Sequence, residues 1–505
     1  MKSILIFLLL IILHSTNAQR VVWDSGAAFP SLKGEGADRI SGGSNGALFF
    51  ITTLSNLEEA TFYAATDSTE AHYKGSISGA FLLRGQGLDI IPRVSGSVSG
   101  MDINITFADQ GNKTYHGHLA PEGGLAHING KIQIANTSNI IIRYLTTRNG
   151  NTATLEIDDQ VSISRSERIV LDHVSLGWSG DELLNIFPGT VVDVIYSDII
   201  LQHILFGQAR FGHNTGAILG ASTSGTIRGE TIYNIHKSFF AAVQSRTPNV
   251  AGRFGSLGRV HNNVVYNWVG RTINLFEGAR IDNFGCWYRT GPRSITLANS
   301  MINQVQNENG DLNRIFSAGN HVEGLLEDPD VDNKTIWTYF DDTNTTQVAD
   351  NLFRSTPVPI SDVGYRYVSA SEAYDKIITQ RNVGNNRSTS ALGVPIIAHD
   401  AIDAHYFDSF ISRTDSWQDE VDWIHPVRAS NSFYTDDNWN GIYDLFEAEN
   451  NIVVSTQVKE QYTWQGVTYV NKAGYNARDA WSIIMAGQIK PTAPNTNASV
   501  KKSKI

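Results

Sequence analysis

The chain contains one cysteine, Cys286, among 505 residues. No disulfide can therefore form within the chain. A protein of this size without disulfides must depend on a large hydrophobic core, which several hundred residues can supply. Cys286 lies in the apolar run NFGCWY, and no histidine stands at a spacing typical of cysteine nucleophiles. The sequence therefore predicts that Cys286 is a buried packing residue.

Positive charge is also scarce. The 39 Lys and Arg residues face 50 Asp and Glu residues, which gives a formal net charge of −11 at pH 7. Such a chain has no general attraction for a phosphate backbone, so nucleic acid is not an expected partner. An acidic polysaccharide is still compatible with this charge, because a local basic cleft or bound cations can override the average.

Long apolar runs are missing after the first residues. The chain begins MKSILIFLLLIILHSTNAQR, in which Lys2 precedes an apolar stretch and Thr16-Asn17-Ala18 resembles a cleavage site. The stretch is too short for an ordinary membrane helix, and no later run reaches about 18 apolar residues. We expect residues 1–18 to be a cleaved signal peptide. The mature protein is then predicted to be a soluble, secreted monomer, either extracellular, periplasmic or on the cell surface, without a membrane partner. A retained membrane anchor is the alternative.

Helical patterns are rare, whereas glycine (44 residues) and asparagine are frequent. From Lys131 onward the chain repeats units with two short apolar strands, separated by Asn, Gly, Asp or Ser. The first three are KIQIANTSNIIIRYLTTRNG, VSISRSERIVLDHVSLGWSG and VVDVIYSDIILQHILFG. A period of roughly 20 to 34 residues indicates a solenoid, and the two-residue alternation favours a β-helix over a helical array. A β-propeller is the alternative, but it needs four strands in about 40–45 residues.

Four regions follow the predicted signal peptide. We assign residues 19–334 to the β-helix domain and residues 335–425 to an irregular segment packed on its outside. Residues 426–490 form a C-terminal segment, and the polar tail 491–505 is predicted to be disordered. One helix is expected to begin at Ser369, and a second lies in AGYNARDAWSIIMAG. The predicted fold class is therefore all-β with a mixed C-terminal extension.

Oxygen-bearing side chains concentrate between Ile157 and Ile186, at the ends of short strands about one coil apart. They are Asp158, Asp159, Asp181, Glu182 and Asn185. Calcium binds six to eight oxygen ligands, several of them carboxylates. This spacing is what a cation-dependent enzyme acting on sugar acids needs.

A second calcium site is predicted from a loop near the C-terminus, DDNWNGIYDLFE. Its residues fit the spacing of an EF-hand loop, with Gly441 at the sixth position. The candidate ligands are Asp436, Asn438, Asn440, Asp444 and Glu447. The low charge of this ligand set suggests a structural site away from catalysis; a plain turn is the alternative.

Six segments in order resemble the pectate lyases (polysaccharide lyase family 1). They are ERIVLDHVSLGWSGDELLNI, IILQHILFG, IHKSFFAAVQSRTPNV, RVHNNVVYNW, NFGCWYRTGP and IFSAGNHVEG. The chain looks most similar to long secreted pectate lyases of Bacteroidetes-type bacteria, and the resemblance covers most of residues 29–487. It implies a right-handed parallel β-helix that cleaves polygalacturonate by β-elimination with Ca²⁺.

The resemblance implies roles for individual residues. Asp159, Asp181 and Asn185 match the primary calcium site, although the family most often has a carboxylate where Asn185 stands. Asp158 and Glu182 are neighbours that could substitute. The expected consequence of the amide is weaker calcium binding, because it carries less charge.

Arginines carry the remaining roles. Arg246, in QSRTPNV, matches the catalytic arginine that removes the substrate proton, and Arg253 or Arg259 is the candidate for a second, substrate-binding arginine. The family also has a substrate-binding lysine, at a position where this chain offers only Arg210 and His213. Asp172-His173 matches a motif assigned to the scaffold.

Two other functions compete with a lyase. A β-helix hydrolase of the polygalacturonase type needs an acid and a base carboxylate around one bond, and we find no such pair beyond the calcium set. A non-catalytic glycan-binding β-helix is made plausible by Asn185 and by the missing lysine.

Overall fold

The computed structural model describes most of the chain between residues 19 and 487. The described ranges are 19–23, 28–30, 32, 36–100, 102–150, 158–187, 198–210, 213–220, 232–252, 256–294, 302–305, 313–330, 332–339, 347–359, 367–419, 425 and 434–487. The predicted signal peptide and the predicted tail lie outside these residues.

Short strands dominate the described residues. The strands of the first half are β1 (Gln19–Trp23), β2 (Ala47–Ile51), β3 (Ala60–Tyr63), β4 (His72–Gly75), β5 (Leu88–Pro92), β6 (Gly96–Ser99), β7 (Ile103–Ile105), β8 (Lys113–His116), β9 (Leu125–Ile128), β10 (Ile132–Ala135), β11 (Ser138–Arg143), β12 (Thr146–Arg148), β13 (Val161–Ser164), β14 (Glu167–Asp172), β15 (Ser175–Gly177), β16 (Glu182–Phe187), β17 (Ile199–Gln202) and β18 (Leu205–Phe206). Those of the second half are β19 (Thr215–Leu219), β20 (Ile232–His236), β21 (Phe239–Ala241), β22 (Asn249–Ala251), β23 (Leu257–His261), β24 (Val264–Tyr266), β25 (Ile273–Phe276), β26 (Arg280–Phe284), β27 (Trp287–Arg289), β28 (Asn303–Val305), β29 (Arg314–Ala318), β30 (His321–Val322), β31 (Trp337–Tyr339), β32 (Arg387–Thr389), β33 (Pro395–Ile397), β34 (Gln461–Trp464) and β35 (Val467–Asn471).

Helices are few and short. The α-helices are α1 (Ile77–Leu82), α2 (Ala370–Tyr374), α3 (Ala401–Ser412), α4 (Asp444–Asn450) and α5 (Ala477–Ala486). A π-helical turn, Asp375–Thr379, continues α2. The two predicted helices are found: the Ser369 side chain caps α2, and Asn476 caps α5. The sequence patterns did not predict α1 or α3 as helices.

The strands stack into three long sheets. Within the described residues, sheet A has nine strands in the order β31-β28-β25-β22-β19-β16-β13-β10-β7, and sheet C has nine in the order β30-β27-β24-β21-β18-β15-β12-β9-β6. Sheet B has twelve, ordered β29-β26-β23-β20-β17-β14-β11-β8-β5-β2-β4-β3. Pairing is parallel throughout, apart from β3 against β4. From β7 to β30 each coil contributes one strand to each sheet, as β13, β14 and β15 do. This is the predicted parallel β-helix, and parallel connections of this kind are almost always right-handed.

Apolar side chains stack in layers inside the solenoid. In sheet A, Ile132 lies beside Val161, which in turn lies beside Leu184, and all three are buried. The next inward layer repeats the pattern with Ile134, Ile163 and Ile186. Because side chains alternate between the two faces of a strand, the residues between them point outward. Register between coils therefore places equivalent outward residues in rows along the solenoid.

The corner between sheets B and C is made by residues with a left-handed backbone. Tyr144, His173, His203 and Asn262 have φ between 52° and 56°. The rings of Tyr144, His173 and His203 stack with centroids 4.6 and 4.3 Å apart. Non-glycine residues adopt this conformation infrequently, so the corner restricts which residue types can occupy these positions. The predicted scaffold role of Asp172-His173 agrees with this position.

The chain after the solenoid packs on its outer surfaces. Residues of α2, its π-helical turn and α3 form an apolar cluster with sheet C residues such as Phe239 and Tyr266. Helix α5 packs with a small sheet in the order β1-β35-β34 and with sheet B. The predicted mixed C-terminal extension is therefore present. The predicted domain boundaries stay a prediction; β1, at the start of the chain, pairs with β35 near its end.

Candidate active site

Charged residues line the corner where each coil passes from sheet C to sheet A. In successive coils they stand at or just before the start of β10, β13, β16, β19, β22 and β25. We name this set the charged row; its members are Lys131, Asp158, Asp159, Asp181, Glu182, His213, Arg246 and Arg271. Backbone hydrogen bonds join neighbouring coils here, such as Asp181 N to Asp158 O at 3.0 Å. Lys131 begins the row; beyond it, negative charge lies at β13 and β16, and Arg246 and Arg271 lie on the later coils.

The acidic part begins with Asp159. Its Oδ2 accepts a hydrogen bond of 3.0 Å from Nδ2 of Asn185, on the next coil. The pKa of Asp159 is raised to about 6, mainly by burial and also by the charges of Asp181 and Asp158, whereas the Asn185 hydrogen bond acts to lower it. Lys131, one coil earlier, contacts Asp158. A carboxylate crowded in this way is stabilised by any added cation.

Asp181 and Glu182 extend the acidic part along the next coil. Nε2 of His213 lies 2.7 Å from Oδ1 of Asp181 and 4.0 Å from Oε1 of Glu182. One ligand atom from each of the three side chains lies within 4.8 Å of the others. Glu182 is nearly buried, whereas the Asp181 side chain is 27% and that of His213 46% exposed. His213, which the sequence predicts to bind substrate, contacts these acids in the structure.

Arg246 faces these acids from the later coils. Its Nη1 contacts Oε1 of Glu182. Burial lowers the pKa of Arg246, while the charges of Asp181 and Asp159 raise it. The residue has a left-handed backbone, with φ of 62°. Gly216 makes room for it, because a Cβ on Gly216 would lie 2.5 Å from the Arg246 carbonyl oxygen.

Arg271 is the last member of the charged row. Thr247 N donates to Thr272 O at 2.9 Å, and Asn249 pairs with Asn274 in register. The same 25-residue offset places Arg271 beside Arg246 on the next coil. Burial lowers the pKa of Arg271, and the positive charge of Arg246 lowers it further.

The donor atoms at the acidic part suit a hard cation. Asp159, Asp181 and Asn185 offer carboxylate and amide oxygens on two adjacent coils, and Asp158 and Glu182 lie next to them in sequence. Calcium prefers such oxygen donors, whereas an imidazole nitrogen suits transition metals better. A carboxyl group that is buried near other acids has a raised pKa as long as no cation neutralises it. Asp159 shows this. The residues therefore fit the predicted ion.

The predicted substrate-binding arginines fall in different places. Arg210 lies close to the charged row, since its N donates to Ser179 O at 2.9 Å, two residues before Asp181. Arg253 lies outside the described residues. Arg259 is on β23 in sheet B, fully buried, and its Nη2 donates to the carbonyl oxygens of Val358 and Pro359. The structure does not bring Arg259 to the charged row.

The C-terminal loop converges as its spacing predicts. Asp436 accepts from the backbone N of Asn440 at 3.0 Å and of Gly441 at 2.9 Å. Nδ2 of Asn438 lies 3.1 Å from Oε2 of Glu447, and Nδ2 of Asn440 also donates to Glu447. Burial raises the pKa of Asp436 to about 6 and also raises that of Glu447.

Two further residues complete the surroundings of this loop. Asp444 accepts from Asp437 N at 3.2 Å and begins α4. Arg93, which has no counterpart in the spacing motif, reaches from the solenoid and contacts Asp436. Among the described residues, the side chains of the motif therefore meet in one place, and the guanidinium of Arg93 lies beside them.

A second histidine-containing cluster lies at the B–C corner. Asp172 accepts from His173 Nδ1 at 2.7 Å, from Arg143 Nε at 3.0 Å and from Gln202 Nε2 at 3.0 Å. It is fully buried, and these contacts hold its pKa well below the usual range against the effect of burial. The cluster is part of the scaffold.

Lys131 and Arg271 were not identified from the sequence. Lys131 lies 28 residues before Asp159, and Arg271 lies 25 residues after Arg246. A signal was present in both cases: each stands just before a strand of the repeat, as the recognised residues do. Because the coils differ in length, the number of residues between equivalent positions varies. The equivalence can be recognised only once the strand register is known.

Fold and site together define a parallel β-helix protein with an acidic cluster and an arginine pair along one corner. No protein-family model matches the chain. It is 23% identical over 448 residues to a probable pectate lyase C of Emericella nidulans, covering 86% of this chain and 90% of that protein. A probable pectate lyase C of Aspergillus terreus is 25% identical over 300 residues, 59% of this chain and 60% of that protein. These relatives support a pectate lyase-like family.

Solved structures also resemble the chain. The major cedar-pollen allergen Jun a 1 gives a TM-score of 0.45 at 15% identity and covers 70% of this chain and 92% of its own. A pectate lyase variant from Xanthomonas campestris gives 0.41 at 16% identity, with coverage of 70% and 99%. Within the described residues, no helix is long and apolar enough to span a membrane.

Proposed function

We propose that this protein is a secreted, calcium-dependent lyase that cleaves polygalacturonate (pectate), or a related polyuronate, by β-elimination. One observation carries the proposal: the acids predicted to hold calcium and the arginine predicted to act as base meet along one corner of the solenoid. Arg246 contacts Glu182, next to Asp181. The relatedness to pectate lyases agrees with this chemistry. The similarity of this chain to pectate lyases of Bacteroidetes-type bacteria stays a prediction.

β-Elimination on a uronate has two demands. The proton on C5, next to the carboxyl group, is weakly acidic, so charge must be stabilised as it leaves, and a base must accept it. Calcium held by Asp159, Asp181 and Asn185 would neutralise the substrate carboxylate as a Lewis acid. The protein's part is to hold that carboxylate near the acids and to present a base beside it.

Arg246 is the proposed base. Burial lowers its pKa, which favours the neutral guanidine that can accept a proton. The C5–H electron pair forms the C4–C5 double bond, and the C4–O bond breaks with its electrons on the departing oxygen, which takes up a proton from solvent. The proton removed from C5 is then on Arg246, which returns it to solvent. The product chain carries an unsaturated end.

Arg210 is proposed to bind substrate near Asp181, and its backbone hydrogen bond to Ser179 supports this. Arg253 keeps its predicted role as a substrate-binding candidate. His213 has a different proposed role, because its Nε2 lies 2.7 Å from Oδ1 of Asp181 and so adjoins a carboxylate of the proposed calcium site.

The loop from Asp436 to Glu447 is proposed as a second, structural calcium site. Its convergent side chains and the raised pKa of Asp436 support this assignment. Because α4 starts within the loop and Arg93 of the solenoid contacts Asp436, calcium there would fasten the C-terminal extension to the solenoid. The site lies on a different element from the charged row.

Incubation with polygalacturonate tests the function. A lyase yields unsaturated, ultraviolet-absorbing ends and stops when a chelator removes calcium. Reducing ends without ultraviolet absorbance identify a hydrolase. Binding without new ends identifies a glycan-binding protein, and either result overturns the proposal. Comparison of pectate, methylated pectin and alginate then defines the polyuronate.

A further inference from the structure

A cavity of about 490 Å³ opens near the end of sheet C, beside the C-terminal extension. Its lining includes Trp287 of β27, His321 of β30 and Arg413, the residue that ends α3. Binding sites for small ligands usually enclose ~300–1,000 Å³ and combine aromatic walls with a few polar groups. The size and lining of this cavity therefore suit one small ligand that is partly polar.

Aromatic rings form one wall of the cavity. The rings of Trp287 and His321 stack with their centroids 3.7 Å apart, and the Tyr374 ring lies 4.7 Å from that of Trp287. Nε1 of Trp287 donates a hydrogen bond of 3.0 Å to Oε1 of Glu323, which fixes the indole. Such a wall offers an apolar surface to one side of a ligand that is polar elsewhere.

Arg413 supplies positive charge to the cavity. Its Nη2 donates to Oε2 of Glu323 at 2.9 Å, yet its side chain is 63% exposed. Glu323 also accepts from Nε of Arg289 at 2.6 Å, so this one carboxylate is shared between two guanidinium groups. Its charge therefore does not balance both arginines. A second carboxylate, brought by a ligand, would match the planar fork of Arg413.

Glu327 supplies negative charge on another side of the cavity. Its side chain is 65% exposed, and its Oε2 lies 3.4 Å from Nε2 of His321. Its Oε1 accepts a hydrogen bond from the backbone N of Gly324, which holds the carboxylate in place. Carboxylate oxygens accept hydrogen bonds from hydroxyl groups, and an imidazole can donate or accept them. The cavity thus combines a cationic group for an acid with partners for hydroxyl groups.

The cavity is separate from the charged row. Thr290, which also lines it, follows β27 at the corner between sheets C and A. Arg246 lies at the same corner two coils earlier, because β21, β24 and β27 are neighbouring strands. At about 4.8 Å per strand, these coils are on the order of 10 Å apart. The charged row is proposed to meet a carboxylate through calcium, whereas the cavity contains a guanidinium of its own.

We propose that this cavity binds one unit of a sugar acid without calcium, with the sugar carboxylate on Arg413. The hydroxyl groups meet Glu327 and His321, and the sugar ring packs beside Trp287. The choice of a sugar among hydroxylated acids rests on the proposed function, but binding here requires no turnover. An anchor at this place holds a polyuronate chain close to the charged row.

Calorimetric titration of the full chain with galacturonate, in the presence of a chelator, tests this inference. Removal of calcium disables the carboxylate site proposed at the charged row. The wild type should still bind galacturonate, and should bind galactose roughly 10- to 100-fold more weakly, because galactose has no carboxylate. Arg413→Ala should weaken galacturonate binding by a similar factor. Arg413→Lys should recover part of the loss, because lysine keeps the charge but not the fork.

Arg381→Ala is the matched control. Arg381 is a surface arginine paired with Asp408 of α3, and its backbone is left-handed like that of Arg413, with φ of 49° and 57°. Its replacement should leave galacturonate binding unchanged. In nuclear magnetic resonance spectra, the indole N–H signal that is missing from Trp287→Phe should shift on addition of galacturonate to the wild type and to Arg381→Ala, but not to Arg413→Ala.

Three results overturn the inference: no binding of galacturonate by the wild type in chelator, equal affinity for galactose, or an Arg413→Ala affinity equal to that of the wild type. Failure of the proposed function is a different result, in which the wild type releases no unsaturated ends from polygalacturonate. Binding that depends on Arg413 and shifts the Trp287 signal supports the sugar-acid site in that case as well.

Discussion

The guanidinium of Arg246 contacts the carboxylate of Glu182, the residue directly after Asp181. The proposed base is thus joined to the acidic cluster proposed to hold calcium. A cation at the acids competes with Arg246 for Glu182, because both are attracted to the same carboxylate. Metal binding and the position of the base are therefore coupled through one side chain.

Replacing Arg246 tests the assignment of the base. Arg246→Ala should lower kcat on polygalacturonate at least about 10²- to 10⁴-fold, the range expected for loss of a general base. Calcium affinity should not weaken, since a competing cation has been removed. Rates of ultraviolet-absorbing product and calcium titration calorimetry measure the two effects. Arg84→Ala, which removes an exposed arginine paired with Asp109, is the control, and a kcat within about threefold of wild type would rule out Arg246 as the base.

Replacing Asn185 tests the primary calcium site. In Asn185→Asp a carboxylate replaces the amide that now donates to Asp159. Repulsion should lower the melting temperature without calcium, while the added charge should tighten calcium binding roughly 3- to 10-fold. Thermal unfolding with and without calcium, together with calorimetry, measures both.

Asn104→Asp is the control for this experiment. Asn104 lies in the same outward row of sheet A, three coils before Asn185 in the register that runs through Gln133 and Ser162. It should shift neither quantity by a comparable amount. If Asn185→Asp behaves like the control, calcium is bound elsewhere.

The sequence predicted the solenoid well because its cause is local. Alternating apolar residues such as Val161 and Ile163 form short strands wherever they occur, and β13 begins and ends almost where the pattern does. Helix α5 was predictable for the same reason, with Asn476 as its cap and Gly487 at its end. Helix α3, in contrast, was not predicted, although Asp400 caps it.

The charged row was only partly predictable because it depends on register. Asp159 and Asp181 were noticed among the oxygen-bearing side chains between Ile157 and Ile186, and a family resemblance assigned their roles and that of Arg246. Lys131 and Arg271 also stand just before strands of the repeat, but they were missed because coil lengths vary and no constant spacing relates them to the other residues. Arg259, a predicted substrate-binding candidate, stands close to Arg246 in sequence. It lies on β23 in sheet B, however, and not in the charged row.

Glu447 offers a test of the C-terminal calcium loop. Calcium that binds the folded state alone stabilises it by an amount that grows with concentration, about 2.7 kcal/mol at a hundred times Kd. Glu447→Gln should lose this calcium-dependent rise in melting temperature, because the acidic residue at position 12 of the loop is removed. Activity at saturating calcium should stay within about twofold.

The exposed acid Glu372, paired with Lys376 on the surface, provides the control as Glu372→Gln. That variant should keep the full calcium-dependent rise. If Glu447→Gln shows the same calcium-dependent rise in melting temperature as the wild type, the loop is a plain turn.

Asp479 provides a prediction of pH dependence that is independent of the charged row. It lies in the first turn of α5, almost fully buried, and accepts a hydrogen bond of 2.8 Å from Ser44. Its pKa is raised to about 7, mainly by burial and also by the charge of Asp89, while Ser44 and Arg478 act to lower it. His116 lies on the other side of Asp89, 3.2 Å away. The folded protein therefore keeps a proton that the unfolded chain releases near pH 4.

The sign of the effect follows from this difference. Between pH 4 and about 7 the folded state binds more protons than the unfolded state, so the free energy of unfolding falls as pH rises. Asp479→Asn cannot ionise and still accepts from Ser44. We expect it to unfold like wild type near pH 4 and to be more stable above pH 7, by on the order of 1–4 kcal/mol. Urea unfolding at pH 5 and pH 8 measures the difference, with the exposed Asp38→Asn as control. A variant that is no more stable than wild type at pH 8 would show that Asp479 is accommodated as a carboxylate.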